Sequence, residues 1–389
     1  MKGFRFLLCM VVVSFVASVP AQDFNEAKEL VKKGINAEQL SLNDRALGYY
    51  LDAAEKEPSY HVAYLRAAKI YEKKYRYADA INMLKSCISA NDTCAEAISR
   101  LVGCYVEEKD FDGNKYGHFN NVDELISMAE RSIELDSANA LSYCNLALIY
   151  NHLKNYTNAL TWAKKALQHG DKSARVYNTL GVVHYNRGKD AEAMGAFHKA
   201  MSLDPNNIDA YYNLGVMYSQ RNNYETAITH LRKGLQINDK SIKLLYALGI
   251  AYMQRGDSGK SIQCYENIIQ IDSMFVPAYN RIGAVYAKKG NYDEAVAYHQ
   301  KASRIDPRNA ESYKCLGQVY TDKSDYVKAL RSYQKAVSIN ERDHETYCLI
   351  AKLYAKQGNS ARETSSYKKA AKLGNKEAQA WMVSHGMAW

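Results

Sequence analysis

Gly181, Gly215, Gly249, Gly283 and Gly317 stand 34 residues apart without a slip, and a fixed period of that length restricts the chain to a stack of like supersecondary units. The residues around each glycine return with it, as in YYNLGVMYSQRNNYETAITHLRKGLQIN (211–238) and YNRIGAVYAKKGNYDEAVAYHQKASRIDP (279–307). With the glycine counted as position 8, repeats begin at Ala27, His61, Ala95, Ala140, Ala174, Ile208, Ile242, Val276, Ala310 and His344. Ten units of 34 and one insertion of 11 inside the third fill residues 27–377. No stretch remains for a separate catalytic domain.

Position 4 is tyrosine at Tyr64, Tyr143, Tyr177, Tyr211, Tyr279, Tyr313 and Tyr347, and position 11 at Tyr71, Tyr105, Tyr150, Tyr218, Tyr252, Tyr286, Tyr320 and Tyr354. Spacings of three, four and seven put these rings on one stripe of a first helix, A. Small residues at positions 20 and 27 (Ala159 and Ala166, Ala193 and Ala200, Ala295 and Ala302, Ala329 and Ala336) lie two turns apart on a second helix, B, with a bulky residue at 24 (Phe197, Leu231, Tyr265, Tyr333) beside them. Pro58, Pro205 and Pro307 at position 32 end helix B. The tyrosines are therefore expected to be packing residues. His184 and His299 replace core aromatics at positions 11 and 24 and are expected to be satisfied core histidines, not metal ligands.

This pattern resembles the tetratricopeptide repeat (TPR) family, over about nine tenths of the chain. The resemblance implies an all-α fold: a right-handed superhelical solenoid of about ten helix-turn-helix repeats. The first repeat is degraded, with Lys33 at position 7 and Ala37 at position 11, as suits a terminal unit. At the other end, a further helix A carrying Trp381 stops short, and residues 378–389 are expected to cap the last apolar face.

Residues 1–21, MKGFRFLLCMVVVSFVASVPA, join two cations, Lys2 and Arg5, to a short apolar run and small residues at a cleavage site, the form of a signal peptide cut after Ala21. Residues 22–26 then read as a linker, and the mature chain is expected to be exported, to a bacterial periplasm. The formal net charge of +9 is mild and mixed along the helix surfaces, which gives no nucleic-acid site. Seven cysteines follow the signal peptide, an odd number with no disulfide framework. They read as small buried hydrophobes, with Cys315 and Cys348, on successive A helices, as the one pair placed for a bridge.

No GxGxxG, Walker A, HExxH, CxxC or GxSxG string occurs, so the sequence gives no catalytic residue, no metal ligand and no cofactor site. The insertion at 106–121 carries Asp110, Asp112 and Asn114 at calcium-loop spacing, but Lys115 and Asn121 stand where a helix-loop-helix calcium site needs glycine and a bidentate glutamate. Function is then sought on the A helices, which line a concave groove in TPR proteins. The groove positions implied by the resemblance hold Asn145, Asn178, Asn213 and Asn280, flanked by Tyr185, Tyr212, Tyr246 and Arg281, with Lys314, Gln318 and Lys352 further on. Asparagine donates and accepts, so a row of them suits the backbone of an extended peptide. A chaperone-tail carboxylate clamp does not fit, because Val182 and Ala247 occupy two of its polar positions. The expectation is a non-enzymatic scaffold of the cell envelope that binds segments of other exported or outer-membrane proteins. A glycan- or peptidoglycan-binding accessory protein is the alternative.

Overall fold

The computed structural model describes residues 21–74, 76–107, 122–169 and 173–389. The expected signal peptide, apart from Ala21, and residues 108–121 of the expected insertion lie outside the described residues. Those described form helices and no strand, in two compact units that divide after Pro205. The first unit holds α1 (Ala21–Gln39), α2 (Asn43–Lys56), α3 (His61–Lys73), α4 (Tyr77–Ala90), α5 (Ala95–Glu107), α6 (Val122–Leu135), α7 (Ala140–His152), α8 (Tyr156–Gln168), α9 (Ala174–Asn186) and α10 (Asp190–Leu203). The second holds α11 (Ile208–Gln220), α12 (Tyr224–Ile237), α13 (Ile242–Arg255), α14 (Ser258–Ile271), α15 (Val276–Lys288), α16 (Tyr292–Ile305), α17 (Ala310–Asp322), α18 (Tyr326–Ile339), α19 (His344–Lys356), α20 (Ser360–Lys372) and α21 (Lys376–Ser384).

Odd-numbered helices are the A helices and even-numbered ones the B helices. From α3 to α19 every A helix starts at a repeat start read from the sequence. Residues 22–26 differ from the expected linker: α1 begins at Ala21 and runs through them. Phe24 lies edge-on to Tyr60, with ring centroids 5.4 Å apart, so the added turn is held by packing.

Within each unit a helix packs on its neighbours in chain order, and A helices also meet A helices, as α5 meets α7, α7 meets α9 and α11 meets α13. The apolar interior is a succession of clusters, each shared by adjoining repeats. This is the stacking of a solenoid, in which no single repeat buries its own stripe.

The close approach of A to B depends on the glycine at position 8. A Cβ built on Gly181 would lie 2.4 Å from the ring of Phe197, on Gly249 2.7 Å from Tyr265, on Gly283 2.7 Å from His299 and on Gly317 2.5 Å from Tyr333. The position-24 side chain thus rests flat on the glycine, not merely beside the small residues at 20 and 27. The degraded first repeat keeps the same contact between Gly34 and Tyr50.

The A-to-B turns require one left-handed residue, supplied by Gly188, Gly256, Gly290 and Gly358, and by Ser41, Lys154, Asn222 and Ser324 at φ near 60° elsewhere. Asparagine and aspartate start many helices: Asn309 accepts from the Ser312 N–H, Asp343 from Thr346 and Asn375 from Ala378. α21 closes the second unit, with Trp381 stacked on Tyr367 at 4.4 Å and Met382 buried.

Candidate protein-binding face of the A helices

Residues about one repeat apart meet where neighbouring A helices adjoin, and the side chains singled out for the groove divide there into those that tie the repeats together and those that remain presented. Asn145 belongs to the first kind. It is fully buried, its Nδ2 donates to the Ser99 carbonyl of α5 at 2.7 Å, and its Oδ1 has no hydrogen-bond partner among the described residues. Asn280 is likewise buried: its Nδ2 donates to the Ser312 hydroxyl of α17 at 2.9 Å, and its Oδ1 lies 3.1 Å from His299 Nδ1. These two asparagines are held inside the repeat stack and do not offer an amide to a peptide. Asn178, Asn213 and Tyr185 are half-buried, and each interacts with other residues of the chain.

His299, expected as a satisfied core histidine, is buried and bonded through Asn280, and burial pulls its pKa down to about 4. His184 is only half-buried, its pKa is lowered by desolvation, and its Nδ1 has no hydrogen-bond partner among the described residues.

The presented side chains run across α11, α13, α15, α17 and α19. Lys243 sits 4.4 Å over the Tyr212 ring and 2.9 Å from Asp209. Arg281 donates through Nε to the Tyr246 hydroxyl at 2.7 Å and lies 5.5 Å over that ring, and no carboxylate of the described residues pairs with it. Burial pulls the Arg281 pKa down, but Tyr246, with Tyr265 and Cys315, more than offsets it. Lys314 reaches Glu345 at 2.8 Å, and Lys352 reaches Glu377 at 2.8 Å. Gln318 is exposed, donates to Asp322 at 3.0 Å and accepts from the Tyr333 hydroxyl at 3.3 Å, so a position-24 tyrosine passes over its glycine to touch this face.

The carboxylates of these pairs are exposed, so the pairs hold the repeats weakly. The strip offers aromatic area, amide donors and guanidinium or ammonium groups, which are the groups that contact a chain segment.

A charged cluster in the first unit went unread in the sequence. Arg100 bonds Glu72 at 2.7 Å and Glu96 at 2.9 Å, and Lys69 pairs with Glu96 at 2.8 Å. Burial pushes the Glu72 carboxyl up against the pull of Arg100 and Arg175. Opposite charges at groove positions of consecutive repeats were the available signal.

Neither Cys315 nor Cys348 is in a disulfide, and burial pushes their thiols up to about 12 and about 11. No helix of the described residues is long and apolar enough to cross a membrane, and no group of three or more potential metal ligands gathers among them.

A protein-family model described as the Cilia and flagella-associated protein 70 C-terminal domain, a TPR domain, matches residues 127–385. Among solved structures, human IFIT1 as a dimer with PPP-AAAA is similar at 17% identity over 91% of this chain and 95% of its own, with a TM-score of 0.54. An IFIT1 monomeric mutant with Gppp-AAAA gives 15%, 92%, 95% and 0.55 in the same terms. Both are likenesses of fold. The crystal structure of MamA is 25% identical over 43% of this chain and 97% of its own, at a TM-score of 0.38. No curated protein matches the sequence.

Proposed function

The chain belongs to the TPR family described as the Cilia and flagella-associated protein 70 C-terminal domain, and from that premise we propose that it is a non-enzymatic scaffold holding segments of other proteins against its A helices. The observation that carries the reading is the strip through Tyr212, Lys243, Tyr246, Arg281, Lys314 and Gln318, where Arg281 is paired with a hydroxyl and with no carboxylate of the described residues. A guanidinium so placed retains the capacity for a bidentate carboxylate contact, and the adjoining rings give an extended segment apolar area at low entropic cost.

The finer reading is that residues 1–21 export the chain and that its partners are proteins of the cell envelope. It rests on the sequence of that segment alone. A mature chain starting at Gln22 in an envelope fraction supports it, and an uncleaved chain in the cytosol overturns it.

The binding face is tested by pull-down with the full mature chain and with Tyr212→Ala/Arg281→Gln/Lys314→Ala. Each of these side chains is only partly buried, so helical content is expected to hold. Capture of polypeptide partners is expected to fall about tenfold or more, each removed charged hydrogen bond being worth about 1.5–3 kcal/mol. Equal capture of every partner by both chains would sink this face as the site. Retention on insoluble cell wall with no polypeptide captured would favour the glycan reading.

A further inference from the structure

The four residues Asn91, Asp92, Thr93 and Cys94 join α4 to α5, and a second cysteine, Cys87, stands just before them. Cys87 is in the last turn of α4, fully buried, and Cys94 immediately precedes α5, partly exposed. The backbone brings them together through one residue: the Asn91 N–H donates to the Cys87 carbonyl at 2.9 Å, and the Cys94 N–H donates to the Asn91 carbonyl at 3.3 Å. Both side chains pack in the same apolar cluster of the first unit. Their side chains therefore meet across the turn, close enough for each thiol to act on the ionisation of the other, and the Ala97 N–H in the first turn of α5 acts on Cys94 as well.

We propose that Cys87 and Cys94 are a dithiol redox site, which forms an intramolecular disulfide by exchange with a low-molecular-weight disulfide and so staples the end of α4 to the residue that leads into α5.

The order of steps follows from the surroundings. The adjacent Cys87 thiol holds the Cys94 thiol below its ordinary range, against burial, with the Ala97 N–H and the neighbouring His61 assisting and Glu96 opposing. Cys94 in turn, together with burial, pushes Cys87 up. Burial alone raises Cys264 to about 12. Cys94 is thus the thiol that ionises and is reachable, and a thiolate at a helix N-terminus is the nucleophilic form.

Cys94 loses its proton to solvent, and its sulfur attacks one sulfur of the incoming disulfide, R–S–S–R, expelling RS⁻ and leaving Cys94–S–S–R. Cys87 then gives its proton to a departing thiolate while its sulfur attacks the Cys94 sulfur. The Cys87–Cys94 bond forms and a second RSH leaves. Two electrons pass from the cysteine pair to the small disulfide, which is reduced to two thiols, and an excess of thiol reverses the sequence.

The probe is a series of buffers of oxidised and reduced glutathione applied to the full chain, followed by trapping of thiols, digestion and mass mapping. A cross-linked peptide joining Cys87 and Cys94 is expected to grow with the oxidised fraction and to vanish on return to reduced glutathione. In Cys87→Ala, Cys94 is expected to accumulate as the glutathione adduct. Alanine fills the same repeat position at Ala166 and Ala302, so helicity is expected to survive. Cys94→Ser is expected to leave Cys87 unmodified. In the unmutated chain, iodoacetamide is expected to label Cys94 before any other cysteine, at a pH below that of an ordinary thiol. A wild-type chain that stops at the Cys94 adduct, pairs Cys87 with another cysteine, or leaves Cys94 unreacted while the denatured chain reacts would overturn the proposal.

Discussion

Where position 8 is glycine the side chain is a single hydrogen, and the position-24 side chain that rests on it has nowhere to retreat. The Cβ of an alanine at Gly317 would sit 2.5 Å from the buried Tyr333 ring, so Gly317→Ala is expected to cost about 1–3 kcal/mol through overpacking. Gly195, in the middle of α10, meets nothing within 4 Å of the same added atom. There the change is expected to stabilise by up to about 1 kcal/mol, because glycine is the poorer helix former. Thermal midpoints of the two variants should move in opposite directions, and a common direction would refute the packing account. His299 carries a pH dependence at the same scale. Its pKa is about 6.5 when exposed and about 4 in the fold, so between those values the unfolded chain binds a proton that the folded chain refuses. Stability is complete above pH 6.5 and falls as pH drops through that window, by up to about 3 kcal/mol. Denaturant midpoints at pH 7 and 5 are expected to differ less in His299→Phe than in the parent chain.

The elements themselves were legible because glycine spacing, alanine pairs and prolines each answer a local geometric demand that any copy of the repeat must meet. What neighbouring elements say to each other was not. Asn145 and Asn280 stand at positions that face a ligand in an average repeat, yet Ser99 and Ser312, 46 and 32 residues away, claim them. A repeat position fixes the direction of a side chain and leaves open whether a neighbour's group reaches it. The Cys87–Cys94 pair is hidden for a related reason: it joins a residue of α4 to one in the turn beyond it, and the repeat pattern relates helix only to helix. The A-to-B turns offer a test at this scale. Ser324 holds φ at 61° where other repeats place glycine, and a side chain in that conformation costs about 1 kcal/mol or more. Ser324→Gly is accordingly expected to raise the thermal midpoint, less the added flexibility of the unfolded chain. A lowered midpoint would show that the Ser324 side chain contributes more than its backbone costs.

Over the whole molecule, the period announced an array but could not announce where it divides. The second unit's apolar clusters are built from its own residues, from Ala227 in one to Met382 in another. Residues 206–389 expressed alone are therefore expected to give a strongly helical circular dichroism spectrum and a cooperative melt. A broad, featureless melt would mean that this half depends on the other for its packing. The bridges between A helices have a further consequence. Lys243 finds its acid in the preceding repeat, at Asp209, whereas Lys314 finds its acid in the following one, at Glu345, and Arg281 reaches back to a tyrosine. Units alike in backbone thus carry unlike addresses on their edges. Shuffling them by recombination would keep every turn and glycine while sending cations to the wrong neighbours, so the order of copies along this chain is itself inherited information, and gain or loss of one copy alters two junctions at once.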